Sequence, residues 1–328
     1  MADVSIAPPD GDRLFGGEGA SEADRGQLLL VAGLVMAVSL VTLVVLLNAT
    51  IYSENVATRG IESADGEALE VRAAAVGGTG ELIDATNRAG PTDHADATES
   101  VASGVEDLDA EMARSYAERG GVAHLELSSV RNGSRIAGGI AGRPAGSTNA
   151  SFAADVGRTR GFVLDVDPGS LAVTDAAGAV DDAFHVDLDN STGGSRQVYV
   201  YNGTDGNVTV AVGDDGGEPT ALCEVPPGGR DRVALDLTGG RLGDRPCPGV
   251  WPAGLIAPDD DYDVTLMRTD AAAGEATATV RRVAGGVDVS TDFAETPAVY
   301  EAAIEVRYRT AELRFETAVR VAPGEPDA

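Results

Sequence analysis

Lysine is missing from this chain of 328 residues. All 24 basic residues are arginine, and they face 53 acidic ones, for a net charge of −29. With no basic patch to meet phosphates, nucleic-acid binding is not expected. Aromatic residues make up only 4%, so any core must be built from Val, Leu, Ala and Ile. Histidine is just as scarce: His94, His124 and His185 stand alone, each read as a surface or strand-facing residue without a catalytic partner nearby. Two cysteines and three scattered histidines do not form a metal-ligand set. G-x-S-x-G, H-E-x-x-H, P-loop and Rossmann patterns are all absent. No catalytic residue, cofactor or metal is therefore expected, and the chain does not read as an enzyme.

What is present begins with one apolar run. Gln27 to Leu47 reads QLLLVAGLVMAVSLVTLVVLL without a charge. From Leu28 to Leu47 a helix would rise roughly 30 Å, the thickness of a bilayer core, and Ser39 and Thr42 can bond back to helix carbonyls. The run predicts a single transmembrane helix with the lipid bilayer as partner. Asparagine supplies the next signal. Of eight, six open an Asn-X-Ser/Thr triplet: Asn48, Asn132, Asn149, Asn190, Asn202 and Asn207. Chance would supply about one. N-glycosylation is thus expected at Asn132, Asn149, Asn190, Asn202 and Asn207, while Asn48 abuts the apolar run. This places the bulk of the chain outside the cell and the N-terminus in the cytoplasm. Cys223 and Cys247, on that same outer side, read as a disulfide, with two buried thiols as the alternative.

Period and punctuation divide the chain into a polar cytoplasmic leader at 1–26, the transmembrane helix at 27–47, and a mostly helical membrane-proximal region at 48–120. A β-rich ectodomain at 121–322 and a disordered tail at 323–328 follow. Val101, Val105, Leu108, Met112 and Tyr116 form one helical stripe within Asp96–Arg119, with Asp93 and Asp96 as candidate caps and Gly120-Gly121 as the stop. Glu81–Ala89 reads as a short helical turn. Beyond Gly121 the period falls to 2, and about a dozen short strands predict a β-sandwich or paired sheets. The fold class expected is mainly β, α+β overall. Acid clusters at Asp165/Asp167, Asp187/Asp189/Asn190 and Asp259–Asp261 with Asp263 read as hydrated surface, with Ca²⁺ as the competing reading.

Two resemblances complete the picture. The lysine-free, aspartate-rich composition resembles that of haloarchaeal proteins, whose carboxylates are screened in molar salt. Arg25-Gly26-Gln27-Leu28, running straight into the apolar helix, resembles the class III signal of archaeal prepilins. That resemblance implies cleavage between Gly26 and Gln27 by a prepilin peptidase and packing of the freed helix among pilin-like subunits. Val31 stands where many bacterial pilins carry glutamate. As a whole, the sequence looks like uncharacterised haloarchaeal surface-anchored families of unknown function. The expected function is that of a pilin-like or minor-pilin-like surface glycoprotein with a structural or interaction role. The alternative is an unprocessed envelope or adhesion module.

Overall fold

The computed structural model describes residues 34, 36, 39–44, 66–141, 148–214, 217–256, 261–282 and 289–326. The chain divides into two compact units, 1–66 and 67–328. In the first, residues 34, 36 and 39–44 are helical, and Leu34, Met36, Leu40, Val41, Leu43 and Val44 are all well over half exposed. Among the described residues no helix is long and apolar enough to cross a membrane. The expected transmembrane helix at 27–47 is corrected accordingly. The longest described helical run there, 39–44, rises only about 9 Å, and the rest of 27–47 lies outside the described residues, as do Gly26, Gln27 and Asn48.

The second unit opens with two helices. Helix α1 covers residues 66–89 and continues through Glu81–Ala89, which the sequence had suggested as a separate turn. Gly90, at φ +69, ends it. Helix α2 is His94–Ala117, capped by the Asp93 side chain, which accepts from the Asp96 N–H at 2.8 Å. Val101, Val105, Met112 and Tyr116 of its stripe are buried, and Leu108 partly so. The helices interlock through small residues. A Cβ on Gly78 would stand 2.7 Å from Leu108 Cδ2, and one on Gly104 would stand 2.8 Å from Leu82 Cδ2. Each leucine thus fills the space a glycine leaves on the other helix, which accounts for Gly78 in α1 and Gly104 in α2.

Among the described residues, thirteen antiparallel strands follow in one sheet. They are β1 (Val122–Gly139), β2 (Ala150–Val166), β3 (Phe184–Asn190), β4 (Ser195–Asn202), β5 (Val208–Gly213), β6 (Thr220–Val225) and β7 (Val233–Asp236). The remainder are β8 (Arg241–Leu242), β9 (Arg245–Pro246), β10 (Tyr262–Met267), β11 (Gly274–Arg282), β12 (Ala294–Arg309) and β13 (Arg314–Val321). Short helix α3 (Ala176–Asp182) precedes β3. The order is β13-β12-β1-β11-β2-β10-β3-β4-β5-β6, with β7, β8 and β9 branching from β2. The expected sandwich of two sheets is therefore replaced by one continuous sheet.

The physical reason lies in β2. Its first half pairs with β10 and its last four residues pair with β7. Register shifts and Asp155, at positive φ, interrupt the β10 pairing, and Gly161, also at positive φ, lies between the two paired stretches; together they turn the strand so that it changes partner. The sheet thereby folds onto itself. Val186, Leu188, Val198, Val210, Leu235 and Leu266 from far-apart strands share one core with Phe152 and Phe162. A second core lies between α1, α2 and strands β1, β12 and β13, where Val71, Ile83 and Tyr116 meet Leu125, Ile304 and Tyr308.

Residues 323–326, expected as part of a disordered tail, are held in place. The Gly324 carbonyl accepts from Gly161 N–H at 2.9 Å. The Glu325 carboxylate accepts from Tyr300 Oη at 2.8 Å and from Arg320 Nη2 at 2.9 Å.

Candidate functional site

On β3 the period of 2 sends Val186 and Leu188 inward and His185, Asp187 and Asp189 to the other face. There the His185 ring lies over Tyr199 with 4.7 Å between centroids. Its Nδ1 donates to the Ala183 carbonyl at 3.1 Å, which leaves Nε2 as the lone-pair nitrogen, 3.6 Å from Asp187 Oδ1. That distance is too long for a hydrogen bond, and Oδ1 is buried without a hydrogen-bond partner. Burial, and then the charge of Asp189, push the Asp187 carboxyl up to about 6. Burial also lowers His185, and Arg268 adds to that effect. Here the fold holds a buried carboxyl pushed up to about 6 beside a histidine, with Thr265 directly across the ladder from Asp187. The sequence carried a signal for the pair, since residues i and i+2 on a strand share a face, but the residues were read separately, as a lone histidine and a hydrated acid.

The sign of the stability effect follows from the direction of the shift. A carboxyl raised in the fold contributes stability that is present below about pH 4 and lost as pH rises through about 6. Asp187→Asn is therefore expected to stabilise the protein at pH 7 by about 1–2 kcal/mol, less than the shift alone would imply because the side chain retains some solvent contact. Thermal melts of wild type and variant across pH 4–8 at constant salt check this. Parallel curves would contradict it.

The expected glycan acceptors separate into two groups. Asn132 on β1 and Asn149 just before β2 are exposed. Asn132 Oδ1 accepts from Thr98 Oγ1 at 3.3 Å, and Asn149 Oδ1 accepts from Thr148 Oγ1 at 3.2 Å. Asn190 and Asn202 are half-buried and built into turns. Asn190 Nδ2 donates to the Leu255 carbonyl at 2.9 Å, while its Oδ1 accepts from Thr192 and Gly194. Asn202 Nδ2 donates to the Pro168 carbonyl at 2.7 Å. Asn207, at the far side of the same β4–β5 turn, donates to Asp205 Oδ2 at 2.7 Å. Asn202 and Thr204 line a cleft of about 420 Å³ with Pro168, Val173, Pro227 and Arg230.

Cys223 on β6 and Cys247, directly after β9, form a disulfide with 5.5 Å between Cα atoms. Its position explains its use. Neighbouring strands run β2-β10-β3-β4-β5-β6 in one direction and β2-β7-β8-β9 in the other, so the sheet would be a ring if β6 were laddered to β8 or β9. It is not. Across this seam Arg245 Nη1 reaches the Glu224 carbonyl at 3.4 Å, and the disulfide provides the covalent tie. Among the described residues no three His, Cys, Asp or Glu side chains gather where they could hold a metal ion.

A family model described as a family of unknown function, DUF7261, matches residues 22–192. The chain belongs to this family. The family match ends just beyond β3, yet the partners of β1 (β11 and β12) and of β2 (β7, β10 and β11) all lie after residue 192. The family-matched strands thus complete their ladders only with the second half of the chain. No curated protein and no solved structure matches the chain.

Proposed function

We propose that this chain is a haloarchaeal, N-glycosylated cell-surface protein of pilin-like type, whose β-rich body sits outside the cell and serves a structural or interaction role. The observation that carries this reading is a disulfide closing the seam of a body that also holds five sequons, a combination suited to an oxidising exterior. Arg25-Gly26-Gln27 ahead of an apolar stretch supports the pilin-like part. A prepilin peptidase would act there, and like subunits would be the partners.

N-terminal sequencing of the mature protein tests the proposal: a start at Gln27 is expected, and an intact Met1 or Ala2 would sink the pilin-like claim. Glycopeptide mapping supplies a second prediction. A glycan, whenever it is attached, must be carried by the folded chain, so occupancy is expected at Asn132 and Asn149 and not at Asn190 or Asn202. Asn190→Ala should then destabilise the body by about 1–3 kcal/mol through its lost turn and Leu255 bonds, with Asn132→Gln nearly neutral. Full occupancy at Asn190 would contradict the assignment.

A further inference from the structure

Strand β13 lies at one end of the sheet, and among the described residues nothing pairs with its outer edge. The hairpin that precedes it is closed by Thr310 N–H donating to the Leu313 carbonyl at 2.9 Å. Antiparallel ladders alternate bonded and non-bonded pairs. By that alternation Phe315, Thr317, Val319 and Val321 exchange bonds with β12, while the N–H and C=O groups of Arg314, Glu316, Ala318 and Arg320 point outward. The other edge of the sheet, β6, is tied by the disulfide. Eight residues of free edge template are unusual, because such edges recruit other strands unless they are blocked.

The side chains on the outward-bonding residues select a partner. On a chain of net charge −29, a contact between two copies must match its charges at close range, where salt screens least. Here the arginines and acids alternate: Arg307 is paired with Glu126, Glu305 and Glu316, and Arg320 with Glu301 and Glu325. Suppose two β13 strands meet antiparallel across a two-fold axis. Three registers engage at least three of the four outward-bonding residues of each strand. One sets Glu316 against Glu316, and another sets Arg314 against Arg320. The third places Ala318 on the axis and Glu316 opposite Arg320 twice, so that both charged pairs attract.

We infer that β13 is a self-docking edge, pairing with β13 of a second copy in the register centred on Ala318, so that the sheet continues across two chains. The inference specifies the interaction role proposed above and rests on that reading. Proline at 318 is the discriminating change. It removes an outward N–H while leaving the β12 ladder intact, the one setting in which strands tolerate proline.

The test uses the full-length protein in molar salt, analysed by size exclusion with light scattering. Wild type is expected to be dimeric. Ala318→Pro is expected to be monomeric with an unchanged melting temperature, and Glu316→Arg to raise the dissociation constant at least tenfold. Ala318→Cys should oxidise to a covalent dimer, while Glu312→Cys in the hairpin turn should not. A monomeric wild type, or a dimer that survives Ala318→Pro, overturns the inference. Should Ala318→Pro fail to fold, absence of the Ala318→Cys crosslink overturns it instead. A monomer that starts at Gln27 refutes only the pairing, and a dimer that starts at Met1 refutes only the pilin-like reading.

Discussion

Replacing Cys223 and Cys247 together by alanine is expected to lower stability by about 3–3.5 kcal/mol, the loop-closure value for a separation of this length. For a body of this size that corresponds to roughly 6–12 °C in melting temperature. The location of the bond adds a second expectation. The ring of strands has no backbone ladder between β6 and the β8–β9 hairpin, so the loss should be felt there first. Amide exchange should accelerate in Thr220–Val225 and at Arg245 before it does in Val208–Gly213, whose every residue is buried between two ladders. Reduction of the wild-type protein should reproduce both effects. A loss below 1 kcal/mol would mean that side-chain packing, not the bond, holds the seam.

Local periodicity in the sequence was enough to find α2 and the change to strands beyond Gly121, because a stripe or an alternation is written in neighbouring residues. The disulfide was legible for a similar reason: two cysteines leave only one pairing. Partner choice was not legible. A strand with period 2 shows which face is buried but not which strand lies beside it, so β2 could not be seen to leave β10 for β7 at Gly161. The expectation of two sheets failed at that point. The candidate sites divide along the same line. Asn132 and Asn190 open the same kind of triplet, but the carbonyl that holds Asn190 belongs to Leu255, 65 residues away. The apolar run at 27–47 was read from hydropathy alone, a scale on which a membrane helix and a helix that packs against other protein look the same.

A second large effect is expected where α1 meets the sheet. Asn87, nearly fully buried, faces Val299 with both ends of its carboxamide. Val299 N–H donates to Asn87 Oδ1 at 2.8 Å, and Asn87 Nδ2 donates to the Val299 carbonyl at 2.8 Å. The side chain acts as a piece of neighbouring strand at the place where β12 shifts register against β1. Arg160, also buried, supports the same carbonyl through Nη2 at 2.9 Å, while Nη1 serves Asp84 and the Pro323 carbonyl. Asn87→Ala is expected to cost about 1–3 kcal/mol, because it leaves the Val299 N–H buried without an acceptor. The Val299 carbonyl keeps Arg160. Arg160→Ala should cost about 2–4 kcal/mol: it opens a cavity and removes one of the bonds that hold the tail, while half-exposed Asp84 turns to water. Only the double variant deprives the Val299 carbonyl of both donors, so its loss should exceed the sum of the single ones by about 1 kcal/mol or more. Urea unfolding of the four proteins measures that difference. Strict additivity would show that water replaces either donor at Val299, and that the junction between helix and sheet is more open than its geometry implies.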